Sequence, residues 1–284
     1  MQRAHLAGAL VPVHRGVFMA KDEWEGLDDA GRHLARARAV APSLAIDTAF
    51  SHITAAVSHG WPVVGPLPVR VHVTDEARTA TAHRSGLVRH AGPLPALDAI
   101  RLDGVPVTAP LPTALALIAT TPVHVAAVAV DISVRNGSLR LEDVAAALPS
   151  SPARGSARGR LVISALDRLH ESVGESFAAI RLVELGAAEV VPQHEFVLAD
   201  GSTCRLDFWI PELGVVVEFD GRQKYVDPAM TGGADQTDVL WREKLREHRL
   251  RSRPDVRAVV RVTWWHLIDL DRFRALFRAH GIRF

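Results

Sequence analysis

The chain is poor in cysteine, lysine and tyrosine, and each shortage excludes something. Cysteine occurs once in 284 residues, as Cys204. One thiol rules out an intrachain disulfide framework and any zinc site built from several cysteines, and a reducing cytoplasm is the compartment expected for it. No apolar run approaches the length of about 18 residues needed to span a bilayer, so no membrane association is expected. The opening MQRAHLAGALVPVHRG has no signal-peptide core or cleavage site, and secretion is not expected. An excess of either charge is missing too. With 33 basic and 32 acidic residues the formal net charge is +1, which excludes a surface coated in positive charge but leaves room for a local basic face.

Lysine is found only at Lys21, Lys224 and Lys244, and the other 30 basic residues are arginine. Lysine is a compact, deprotonatable ammonium on a flexible stem, which arginine cannot imitate. Two of the three lysines and the single tyrosine, Tyr225, fall in or just after one segment, although so few lysines could also cluster by chance. That segment, RLDFWIPELGVVVEFDGRQKY (205–225), carries Asp207, Glu218, Asp220 and Lys224 around a strongly apolar hairpin. Carboxylates beside a buried sheet are costly unless they are paired or bind a metal. Val215–Val217 read as the buried part of a strand, with Glu218 and Asp220 at its end and pointing the same way by the period-two alternation of strands. A turn at Pro211–Gly214 would bring Asp207 alongside. Convergent carboxylates with a lysine at the border make a hard oxygen site for Mg²⁺ or Mn²⁺, suited to phosphodiester hydrolysis.

The remaining composition, 48% apolar and 23% charged, describes a soluble globular chain long enough for two domains. Residues 1–22 read as a helix followed by a hairpin with a basic tip at His14-Arg15-Gly16, a remnant winged-helix-like segment or an ordinary edge hairpin. Residues 23–150 read as a separate mixed α/β domain. Helices are expected at Gly26–Ala41, Ala45–His59, Thr113–Ala119, Val123–Val134 and Leu141–Leu148, and short strands at Val69–Val73, Leu87–His90 and Val105–Val107. His52 and His59 lack a third ligand at useful spacing and are expected to cap or pack. Residues 151–160 have linker composition. In 161–284 the order is a long helix at Leu161–Leu185, continuous or broken near Gly174, strands at Val190–Leu198, Arg205–Ile210 and Val215–Phe219, a charged helix at Asp235–Arg253, a strand at Ala258–Val262 and a final helix. The fold class expected is α/β (α+β), with a C-terminal αβββαβ core around a mixed sheet.

These motifs resemble the PD-(D/E)XK nuclease superfamily, in particular its very-short-patch-repair-like endonuclease domains. The likeness covers about residues 165–280 and rests on ESVGES, RLDFWIPE, VVVEFDGRQKY, WREKLREHRLR and VVRVTWWHL. It implies a restriction-endonuclease-like core in which Glu175, Asp207 and Glu218 bind Mg²⁺ or Mn²⁺, with Asp220 contributing. The superfamily places a lysine two residues after the third-strand acid, where this chain has Asp220, so Lys224 has to reach back to serve. Residues 10–150 resemble proteins with an AbiEi-type antitoxin or transcriptional-regulator-like region, through HRGVF (14–18) and SHITAAVSHGWP (51–62).

The activity so implied is metal-dependent DNA endonuclease chemistry. Glu175, Asp207, Glu218, Asp220 and Lys224 form the catalytic set, and Gln223 is a neutral hydrogen-bonding partner. Arg242, Arg246 and Arg249 share one helical face and can follow DNA phosphates, or can be a solvated face laced by glutamates. Trp264 and Trp265 can stack on bases, with burial expected for at least one. The competing reading is a DNA-binding regulator or antitoxin-like protein on an inactive nuclease scaffold. A homodimer, and a toxin–antitoxin or phage-defence partner, are compatible with either.

Overall fold

A computed structural model of the protein describes residues 9–84, 86–94, 98–149, 155–198, 201–221 and 249–284. It is a mixed α/β structure of two compact units, Met1–Ile163 and Ser164–Phe284.

The first unit opens with an antiparallel hairpin, β1 (Leu10–His14) and β2 (Val17–Ala20), turned by Gly16 at φ +77°. Helices α1 (Lys21–Gly26) and α2 (Asp29–Val40) follow, the second capped by Asp28 accepting from the Gly31 amide. A six-stranded sheet is built from β3 (Thr48–Phe50), β4 (Val71–Asp75), β5 (Ala82–Arg84), β6 (Leu87–Ala91), β7 (Ala99–Leu102) and β8 (Val105–Thr108), in the order β5-β6-β4-β3-β8-β7. Its core joins Phe50, Val71, Val73, Leu87 and Val107 to Ala37 and Val40 of α2 and to Ala55 of α3 (His52–Ser58). Helices α4 (Pro110–Thr120), α5 (Val123–Arg135) and α6 (Leu141–Ala147) complete it, with α5 buried from Val125 to Val134.

Two expectations are corrected in this unit. The helix expected over Ala45–His59 is a strand followed by a shorter helix. Ala49 and Phe50 are fully buried, and β3 pairs with β4 on one side and β8 on the other, so tertiary pairing overrides local propensity. Within the expected linker 151–160, residues from Ser156 onward form α7 (Ser156–Ile163), which belongs to the first unit. Val162 is fully buried, Gly159 lies so close to Leu148 that a Cβ would meet its Cδ1 at 2.8 Å, and Arg158 Nε donates to the Ile118 carbonyl at 2.5 Å.

The second unit carries α8 (Val173–Leu185), β9 (Val191–Val197), β10 (Thr203–Ile210), β11 (Val215–Phe219), β12 (Ala258–Val262), α9 (Trp264–Leu267) and α10 (Leu270–Ala279). The sheet order is β12-β11-β10-β9, antiparallel except for the parallel β11–β12 pair. The helix expected over Leu161–Leu185, with a break near Gly174, is two helices, Ser156–Ile163 and Val173–Leu185, interrupted just before Gly174. Ser172 caps the second by accepting from the Glu175 amide, and Gly186 ends it in the left-handed conformation at φ +99°, as helix C-termini commonly do. Pro211–Leu213 form a 3₁₀ turn closed by Gly214 at φ +65°. A side chain at Gly214 would meet the Asp255 carbonyl at 2.8 Å, so the turn needs glycine twice over. Val215, Val216 and Val217 are fully buried. Of the charged helix expected at 235–253, only residues 249–253 are described, and 249–251 are helical. Among the described residues no helix is long and apolar enough to cross a membrane.

Candidate functional site

The site forms where β10 and β11 part. Their ladder pairs Ile210 with Val215, Trp209 with Val216 and Phe208 with Val217. One step further would set Asp207 opposite Glu218. There the side chain takes over from the backbone: Asp207 Oδ2 accepts the Phe219 amide at 2.7 Å. The carboxylate thus takes up the amide two residues beyond the ladder, and the strands open around two acids, both half-buried. On the other side β11 stays paired, Glu218 with Arg261 and Phe219 with Val262, and the Asp220 amide donates to the Val262 carbonyl at 2.7 Å. Asp220 is half-buried one residue beyond the strand.

Helix α8 reaches this point because Gly174 has no side chain. A Cβ there would sit 2.0 Å from Phe219 Cε1, so the first turn of the helix rests against the end of β11. Phe219 also packs edge-on against Trp264, with ring centroids 5.3 Å apart and planes at 88°. Glu175, the next residue, is only 7% exposed. It is bound from three sides: Ser172 Oγ donates to Oε1 at 2.7 Å, and the Glu171 amide and Gln193 Nε2 donate to Oε2 at 2.8 and 2.9 Å. Buried carboxylates require such donors. With two lone pairs on each oxygen, three of its acceptor positions are occupied.

Gln193 is the residue that the sequence reading missed. It stands in β9 between the registered pairs Pro192–Phe208 and His194–Leu206, and so faces Asp207 across the strands. Its φ is +51°, an uncommon conformation for a residue with a side chain. Strand polarity gave no hint of it, because a glutamine among Val191, Pro192 and His194 reads as an ordinary exposed strand position.

The structure thus joins the predicted acids through intermediaries. Glu175 is tied to Gln193, which faces Asp207, and Asp207 is tied to the amide next to Glu218. It does not gather them as a three-carboxylate cluster: among the described residues no group of three His, Cys, Asp or Glu side chains is placed to hold a metal ion. The reason is local, since Glu175 turns back to close the capping arrangement of its own helix. As a donor set, Asp207 and Glu218 offer the hard oxygens that Mg²⁺ or Mn²⁺ prefers, while Glu175 is bonded to Gln193 on the neighbouring strand. Lys224, Gln223, Tyr225, Arg242 and Arg246 lie outside the described residues, and Arg249 is exposed. Of the two tryptophans, Trp264 packs on Phe177 and Phe219, while Trp265 is 53% exposed beneath the Arg272 guanidinium at 4.6 Å. No protein-family model, curated protein or solved structure matches this chain.

Proposed function

We propose that the second unit is a metal-dependent phosphodiesterase acting on DNA, with a restriction-endonuclease-like core of the PD-(D/E)XK type. The observation that carries the reading is the bond from the Phe219 amide to Asp207, which holds one carboxylate beside a second, Glu218, at an opening between strands. The helix–three-strand–strand order with a single parallel pair at β11–β12 agrees with it. Asp207 and Glu218 would hold the cation, and a bound Mg²⁺ or Mn²⁺ supplies Lewis acidity and a more acidic water. Gln193 holds Glu175 from β9, and the remaining lone pair of Glu175 can orient a water. Lys224 is the candidate cation for the charge that builds on phosphorus.

A second reading has its own support. The three hydrogen bonds on Glu175 and an aspartate at position 220 where the superfamily has lysine suit a scaffold that binds DNA without cutting it, as an antitoxin-like or defence-associated regulator would. Incubation of the protein with plasmid, single-stranded DNA and RNA, in Mg²⁺, Mn²⁺ or EDTA, separates the two. The hydrolytic reading expects cation-dependent cleavage that falls by roughly 100-fold or more in Asp207→Asn. Binding without cleavage in any cation would hand the case to the scaffold, and cleavage undiminished in that variant would remove Asp207 as a ligand of the cation and overturn this site.

A further inference from the structure

His52 is placed in a way that local forces oppose. It opens α3 at φ +54°, where a side-chain-bearing residue is strained. Ser51 stands at the N-cap of that helix but does not cap it. Its hydroxyl meets His52 Nδ1 instead, at 2.9 Å. Two stabilising options are forgone, and the outcome is one ring orientation: His52 lies flat against His90, with centroids 3.6 Å apart and planes 15° apart. His90 Nε2 in turn meets His72 Nδ1 at 3.1 Å. Such outliers persist where surrounding structure enforces them, and they cluster at binding sites.

The three rings border a cavity of about 670 Å³, with Pro68, Val88 and Arg70 among its other walls. That size is ordinary for a small-ligand site. A second cavity, of about 360 Å³, also reaches His52 and His90. Among the described residues, His52 Nε2, His72 Nε2 and His90 Nδ1 have no hydrogen-bond partner, and none is among the sealed, unpartnered polar atoms. Each therefore keeps some access to solvent on a ring that lines the cavity. Burial favours the neutral form of all three rings, taking His52 down to about 3 and His72 to about 4. A floor of neutral rings offers stacking faces, donors and acceptors, but no net charge for an anion. The open nitrogens also do not converge, since no described group of three is placed to hold a metal. Among the described residues lining the cavity the one arginine or lysine is Arg70, which is exposed and rests on His83 Nδ1 at 3.3 Å.

From this juxtaposition we infer that the first unit binds a nucleoside 5′-phosphate unit, its flat heterocycle on the His52–His72–His90 floor and its phosphate toward Arg70. The unit can be a free nucleotide or one residue of a single strand. The site does not depend on the hydrolytic reading of the second unit.

Calorimetric titration of the full chain in EDTA, with the four deoxynucleoside 5′-monophosphates, the matching nucleosides, inorganic phosphate and a short single-stranded oligonucleotide, tests it. At least one monophosphate or the oligonucleotide binds, phosphate alone does not, and whichever is tighter names the source. His52→Gly relieves the backbone strain, so this variant keeps its melting temperature while losing about tenfold or more in affinity. Arg70→Gln weakens the nucleotide and leaves the nucleoside unchanged. No binding by any nucleotide or oligonucleotide, unchanged affinity in His52→Gly, or a Zn²⁺ titration saturating at His72 and His90 while nucleotides do not bind, would overturn the assignment.

Discussion

Gly174 and Phe219 compete for the same space: the position of a side chain at 174 lies 2.0 Å from the Phe219 ring. That contact sets how near α8 comes to the end of β11, and so how near Glu175 comes to the two strand acids. Gly174→Ala should therefore overpack the site and lower the stability of the second unit by about 1–3 kcal/mol. Denaturant unfolding measures it. Adding Phe219→Leu to the alanine variant should recover part of the loss, and a purely additive double variant would mean that the two residues do not share this contact.

Asp207 has a structural duty separable from its charge. Asparagine keeps an oxygen for the Phe219 amide, whereas alanine leaves that half-buried donor unpaired, a cost of about 1–3 kcal/mol. Asp207→Asn should unfold close to the parent chain and Asp207→Ala clearly below it. Equal melting curves for the two variants would show that the bond to Phe219 does not stabilise the opening of the strands.

Gln193 should answer unequally to two truncations. Both alanine and glycine remove the donor to Glu175, a bond to a charged group worth about 1.5–3 kcal/mol. Only glycine also relieves φ +51°, a relief worth roughly 1 kcal/mol or more. Gln193→Gly should thus be the more stable variant of the pair, although glycine normally weakens a strand. The reverse ranking in denaturant melts would show that the left-handed backbone at 193 carries no strain.

The legible part of this chain was the part dictated by apolar periodicity and turn residues. Val215–Val217 before Glu218, and Pro211–Gly214 before them, announced β11 and its turn, and Asp207 was expected beside Glu218 because strand pairing leaves few alternatives. What stayed hidden depends on contacts distant in sequence. Nothing near Thr48–Phe50 says that the segment will be clamped between β4 and β8, so its apolar run reads as helix. Likewise, ESVGES reads as an acid offered to a metal, and only the fold reveals that Ser172, Glu171 and Gln193 claim three of the acceptor positions of Glu175. The histidines divide the same way. His59 does pack as expected, its Nε2 donating to the Thr108 carbonyl at 2.8 Å and its ring stacking on Trp61. His52 meets His72 and His90 across strands that no local pattern aligns.

That last meeting makes the first unit sensitive to acid. Two further histidines act on this group, His33, which meets the Thr54 hydroxyl at 2.9 Å, and His83 beside Arg70, while strand alternation sets the Arg89–Asp75 ion pair at 3.1 Å on the opposite face of the sheet from His72 and His90. Desolvation is the leading cause of the lowered values, with mutual repulsion added. A histidine whose folded value is depressed favours folding while neutral. The unfolded chain then binds more protons between the unfolded value of 6.5 and the folded value of about 3 for His52, so stability rises with pH across that window and is lost as pH falls through it. For His52 alone, the drop from pH 7 to pH 5 costs about 2 kcal/mol. Protection factors at the amides of Val71–Asp75 and Leu87–Ala91, taken after dividing out the intrinsic slowing of exchange at lower pH, should fall over that drop. His52→Gly should show a smaller fall, because the most depressed of the three rings is gone. Equal acid sensitivity in that variant would mean that protonation of the cluster is not what loosens the sheet.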